Sequence, residues 1–225
     1  MDFTKYFKEY EKIAAMADNA FEQVKQEYSE CMRCRINCAD CCHAVFDIGL
    51  IEALYINRHF NDKIGGANKD IIIAKANKAD RKVYKLKKQA YKDVQEGKDE
   101  QEIIAKMAFQ RIECPLLTED KLCSLYEYRP ITCRLYGIPT HIGGITHACG
   151  RTGFEEKKEY KTIKIEILQQ KLYELSAKIT KDINSKYPDL FQMLIPVSMA
   201  LLMEYNKETL GVVQKKEKQI GESNK

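Results

Sequence analysis

At 225 residues, with 31% charged and 44% hydrophobic residues and no tryptophan, the chain has enough material for one domain with a core. It reads as a soluble, helix-rich globule and not as a disordered or fibrous chain. The 37 basic and 33 acidic residues leave a formal charge of +4, too mild to demand nucleic acid, which is disfavoured as a partner.

The opening MDFTKYFKEYEK has neither the apolar centre of a signal peptide nor the Arg/Ser-rich, acid-poor make-up of a transit peptide, so a cytoplasmic location is expected. Residues 3 to 31 carry Phe3, Phe7, Tyr10, Ala14, Ala17, Phe21, Val24, Tyr28 and Cys31 at alternating steps of four and three. That spacing predicts a long amphipathic helix over 1–30 that packs on the core, although the same stripe suits a coiled-coil seam. After the first cysteines, Asp47 is expected to cap a helix through IGLIEALYINRHF, which Gly65-Gly66 ends. From Asp70 to about Glu96 a further helix puts Ala76, Ala79, Val83, Leu86 and Ala90 on one face. Its other face is basic, with eight basic residues and only Asp80 as an acid between Lys75 and Lys92, a pattern that most simply means a solvated face. A short helix over Glu100 to Glu113 completes a helical insert of about 47–113 between two cysteine blocks. Residues 152–213 are expected to hold two more helices, one on the stripe Ile165, Leu168, Leu172, Leu175, Ile179 and Ile183, the other from about Leu190. The apolar stretch Leu190 to Met203, interrupted by Pro196, is shorter than the roughly 20 residues of a membrane span. Residues 214–225 read as a disordered tail. No alternating strand pattern stands out, and the expected architecture is all-α, with helices bracketing an irregular, cysteine-rich metal-binding core over 31–151.

Nine cysteines are many for a cytoplasmic chain, where thiols stay reduced, and an odd number argues against a full set of internal disulfides. The first block runs Cys31-x2-Cys34-x3-Cys38-x2-Cys41-Cys42, and the second supplies Cys114, Cys123, Cys133 and Cys149 among prolines and glycines. Two-residue gaps let a turn aim two thiolates at one ion or cluster edge. All nine cysteines are therefore candidate metal ligands. The adjacent Cys41 and Cys42 are harder to place on one tetrahedral ion, since neighbouring side chains diverge, and so favour a cluster or two sites. Arg129 and Arg134 either offset the charge of an anionic cluster or pair with Glu127 or Asp120 at the surface. His43 and His147 stand near cysteines, but nine thiols leave no need of a histidine ligand.

The stretch CPLLTEDKLCSLYEYRPITCRLYGIP, with CADCC at 38–42, resembles the YkgJ-like cysteine-cluster family, whose members are described as zinc- or iron-chelating CxxCxxCC domains. Cys114-Pro115, Cys123, Tyr126-Glu127, Arg129-Pro130, Cys133-Arg134 and Cys149 each have a counterpart in that pattern, and Glu52 looks like a further family position. The resemblance implies Cys34, Cys38, Cys41, Cys42, Cys114, Cys123, Cys133 and Cys149 as the metal set, leaving either Cys31 or Cys34 as a spare in a five-cysteine first block, with Cys31 favoured. A related domain in flagellin lysine methylases is thought to carry a four-iron cluster, but this chain looks too short for such an enzyme's remaining parts.

Three functions compete: an iron–sulfur protein, expected to hold a 4Fe-4S cluster and to meet a protein or redox partner; a structural zinc protein acting as an interaction module; and a thiol–disulfide enzyme, for which the usual βαβ setting is missing. No phosphate-cradling loop, dinucleotide fingerprint, HExxH or GxSxG occurs, so no catalytic residue is assigned.

Overall fold

The computed structural model describes residues 1–155 and 158–213, so the expected disordered tail lies outside the described residues. Helix α1 spans Thr4–Glu27 and buries Tyr6, Tyr10, Ile13, Ala14, Ala17 and Val24, the inner side of the expected stripe. It packs on α2 (Leu50–Lys63), α5 (Ile131–Leu135) and α6 (Ile165–Asp182), and Tyr10, Ala17 and Ile179 are almost wholly enclosed between them. Each large apolar side chain removed from water there stabilises the fold by about 1.5–3 kcal/mol. The buried side of the stripe thus faces the chain's own helices.

A second apolar cluster joins the other side of α2 to α3 (Gly66–Gln95) and α7 (Val197–Leu202) and to Leu116 and Leu125 of the second cysteine block. Helix α3 turns Ile72, Ala76, Ala79 and Val83 inward, which leaves its basic face in solvent. Helix α4 (Glu100–Ala108) follows, capped by the Asp99 carboxylate, which accepts from the Glu102 N–H at 2.9 Å. Among the described residues no helix is long and apolar enough to cross a membrane.

The expected all-α class does not hold, because five short strands form two small sheets. Strand β1 (Asp47–Ile48) pairs antiparallel with β5 (Ile195–Pro196). In the other sheet β2 (Thr140–Ile142) pairs antiparallel with β3 (Ile145–His147) and parallel with β4 (Ile163–Lys164). Strands of two or three residues are too short to show an alternating pattern, and four of the five make pairings with partners distant in sequence. The β2–β3 hairpin is the exception: Gly143 and Gly144, with φ of 58° and 86°, supply the two left-handed residues of a tight type I′ connection.

Two helix boundaries also depart from expectation. Asp47 does not cap α2; it lies in β1 and forms an ion pair with Lys87 at 2.6 Å. The cap position belongs to Gly49, and Glu52 reaches back to accept from its N–H at 3.4 Å. The apolar segment from Leu190 is not one helix. A 3-10 turn at Leu190–Gln192 gives way to β5, and α7 begins only after Pro196, which holds Ile195 extended.

Candidate metal centre

The two cysteine blocks are joined by their backbones. The Cys114 N–H donates to the Cys42 carbonyl at 2.7 Å, the Ile112 N–H donates to the His43 carbonyl at 3.1 Å, and Ala44 bridges Arg111. A tight hairpin follows, with Leu117 opposite Cys123 and Lys121 in the left-handed region at φ 59°. It turns Cys123 back beside Cys114, and α5 brings in Cys133 from the other side. Its N-terminus is tethered by the buried Glu52, which accepts the Ile131 N–H at 2.9 Å.

The result is a chamber of about 60 Å³ lined by Cys41, Cys42, Cys114, Cys123 and Cys133. That is several times the roughly 10–15 Å³ that admits one water. Its remaining wall is mostly apolar, with Ile56 of α2 and Ala79 and Val83 of α3. Cys41 and Cys42 do not diverge as expected. The 3-10 turn Cys41–His43 brings their sulfurs to 4.0 Å, and the pair shares a proton, which lowers Cys41 to about 7 and raises Cys42, with Arg129 adding to the lowering. Burial pushes Cys114 up to about 12 and raises Cys123 and Cys133, each thiol also facing its neighbours' charge. Backbone N–H groups oppose this: that of Leu116 points at the Cys114 sulfur and that of Leu125 at the Cys123 sulfur. Such donors stabilise a thiolate once its proton has left.

The two arginines have separate roles. Arg129 lines the chamber, stacks on Tyr126 at 3.9 Å and reaches Asp18 at 3.5 Å. Arg134 turns away, buried between Asp18 of α1 and the carbonyls of Arg129 and Glu127, where it holds the cysteine loop on α1. Neither pairs with the Glu127 or Asp120 carboxylate.

A second set of thiols lies on the open side. Cys34, Cys38 and Cys149 influence one another's charge around Asp40, and burial with Cys38 nearby pushes Cys34 up to about 11. Asp40 is the residue that the sequence reading passed over, although an acid inside Cys38-x2-Cys41 was a signal. Its carboxylate takes Arg111 at 2.7 Å, Arg151 at 3.1 Å, the Tyr136 hydroxyl at 2.8 Å and the Cys149 thiol at 3.4 Å. It thereby ties together four segments that carry or flank cysteines. The Arg151 N–H points at the Cys149 sulfur at 3.5 Å, again two residues on.

Cys31 does not line the chamber. It is buried at the end of α1, its carbonyl accepts the Gly153 N–H, and its sulfur faces Glu30 at 3.9 Å. The His43 Nδ1–H donates to the Ala39 carbonyl at 2.9 Å, and His147 stands exposed on β3. Among the described residues, no three His, Cys, Asp or Glu side chains are already closed tightly around one point.

A thiol content of this kind, gathered by loops between helices, is what a metal-binding protein presents. Residues 30–160 match the model of the CxxCxxCC family, described as a putative zinc- or iron-chelating domain. The match covers more than half of the chain, and the chain belongs to that family. No curated protein and no solved structure shows significant similarity to it. The donor chemistry fits such a metal, because five soft sulfurs face one apolar cavity and two of them have a backbone N–H ready to support the thiolate.

Proposed function

We propose that the chain is a cytoplasmic iron–sulfur protein whose cluster is held in the chamber by thiolates drawn from Cys41, Cys42, Cys114, Cys123 and Cys133. The observation that carries this reading is five thiols around one cavity, one more than a tetrahedral ion accepts. When bound, such a cluster would supply a one-electron site for electron transfer or cluster-dependent chemistry. The chain's own part is to exclude water with Ile56, Ala79 and Val83, to aim backbone N–H groups at two sulfurs, and to set the Arg129 charge beside the cavity. The N–H groups and the Arg129 charge would raise the tendency of a buried anionic centre to accept an electron, and the exclusion of water would lower it.

One observation favours a second reading. The 4.0 Å between the Cys41 and Cys42 sulfurs is close to the edge of a zinc–thiolate tetrahedron, about 3.8 Å for bonds of about 2.3 Å. Zinc there would be a structural staple, with the outer helices left to bind another macromolecule. Anaerobic purification followed by elemental analysis and a visible spectrum separates the two. Iron with matching acid-labile sulfide and a broad charge-transfer band supports the cluster; zinc without sulfide refutes it in favour of the staple.

A further inference from the structure

Helix α3 has a basic face that the metal centre does not use. Lys78, Arg81, Lys85, Lys88 and Lys92 advance along it in steps of three and four, so they form one exposed stripe. None of the five has an ion-pair partner among the described residues, whereas Lys75 and Lys87, on the flanks, are tied to Glu113 and Asp47. The one acid in that stretch, Asp80, lies off the stripe and accepts from the Ser198 hydroxyl at 3.3 Å. A helix face kept only for solubility gains from mixed signs, and exposed lysines on α1 and α6 are answered in that way, Lys25 by Glu22 and Lys178 by Glu9. Along the α3 stripe each neighbour three or four residues away is a like charge, which works against the helix. A pattern held against local stability marks a surface kept for a partner.

Two aromatic side chains identify the kind of partner. Tyr84 and Tyr91 stand along one edge of the stripe, 63% and 66% exposed. Tyrosine and arginine are the residue types that most often anchor protein interfaces. Seven residues of helix set the two rings about 10 Å apart along the axis, too far for neighbouring bases of a nucleic-acid strand, about 3.4 Å apart, to stack on both. The convex helix surface also offers no groove for a nucleic-acid backbone to follow. A protein surface fits, with carboxylates for the stripe and apolar side chains for the rings. The opposite side of the same helix turns Ala79 and Val83 into the chamber, so a partner seated there lies one helix diameter, about 10–12 Å, from the metal centre.

We infer that the outer face of α3 docks an acidic protein surface that carries apolar side chains among its carboxylates, with Arg81, Lys85 and Lys88 as charge contacts and Tyr84 and Tyr91 as anchors. The docking face is the same whether the chamber holds iron or zinc.

The test is calorimetric titration of the full chain with three probes: a peptide of glutamates interspersed with leucine and phenylalanine, a polyglutamate peptide of equal charge, and an oligothymidylate of equal length. The mixed peptide is expected to bind about tenfold or more tighter than polyglutamate, and to lose about tenfold in affinity between about 50 and 300 mM salt. Arg81→Gln/Lys85→Gln/Lys88→Gln should remove most of that salt dependence. Tyr84→Ser/Tyr91→Ser should remove the preference over polyglutamate and leave the salt dependence as it is. All five side chains are exposed, so both variants should fold, and the triple variant should melt at or above the temperature of the parent because its like charges are gone. Equal binding of the two peptides, tighter binding of the oligothymidylate, or binding of no probe overturns the proposal. So does a triple variant that melts lower, since the stripe would then serve the fold. Metal content of the same samples reports separately on the chamber.

Discussion

Replacing Glu52 by glutamine gives the clearest physical test of how the chamber is held. Glu52 is buried beneath α5, with its two oxygens on the N–H groups of Ile131 and Gly49, and burial pushes its carboxyl up to about 7 against an ordinary value of 4.5. In the unfolded chain the group ionises near 4.5; in the folded chain it stays protonated until about 7. The stability that this raised value contributes is fully present below pH 4.5 and is lost as the pH rises through 7. At about 1.4 kcal/mol per pH unit the loss comes to about 3 kcal/mol. Glutamine is neutral throughout and lacks this slope, but it gives up one acceptor, about 1 kcal/mol. Urea unfolding of wild type and Glu52→Gln should therefore show the variant slightly the weaker at pH 5 and about 2 kcal/mol the stronger at pH 8. Stability curves that run parallel between pH 5 and 8 would refute the reasoning, since the contributions of all other groups cancel in the difference.

Cys133→Ser removes a sulfur that faces Cys41, Cys114 and Cys123, and should lower metal content and soluble yield together, whereas Cys31→Ser should leave metal content unchanged; elemental analysis of both variants checks the contrast. With Cys114 at about 12 and Cys42, Cys123 and Cys133 also raised, the metal-free chamber is largely protonated at pH 7, so filling it with four thiolates should expel about three to four protons. Apparent affinity then falls as the pH falls, and titration in buffers of different ionisation heat should report the protons; release of fewer than two would contradict these directions. Gly137 has φ of 107°, and a Cβ there would strike the Cys34 sulfur, so Gly137→Ala should cost about 1–3 kcal/mol and raise the reactivity of Cys34 toward thiol reagents.

The long helices were legible because α1, α3 and α6 each repeat apolar residues at helical spacing over four or more turns. Strands β1 and β5 were not, since each is two residues long and is defined by the other, some 150 positions away in sequence. The thiols announced themselves by number and spacing, yet their division did not. Whether Cys38 and Cys41 share a site depends on the Cys41–His43 turn and on the backbone bonds from Cys42 and His43 to the second block, which no spacing encodes. Arg129 and Arg134 show the same limit. The two are five residues apart, alike in chemistry and both in reach of Asp18 on α1; only the fold shows that Arg134 is clasped by the carbonyls of Arg129 and Glu127 while Arg129 stacks on Tyr126 beside the cavity.

The backbone bonds between Cys42–Ala44 and Arg111–Cys114 make the intervening chain an excursion whose two ends are pinned together before any metal arrives. Lengthening such a closed excursion costs little, about 0.6 kcal/mol for each doubling. Its exposed turn at Gly97–Asp99, between α3 and α4, is thus the natural point for a protease nick or an inserted tag. A chain cut there has both halves still clasped by the backbone bonds between the two cysteine blocks.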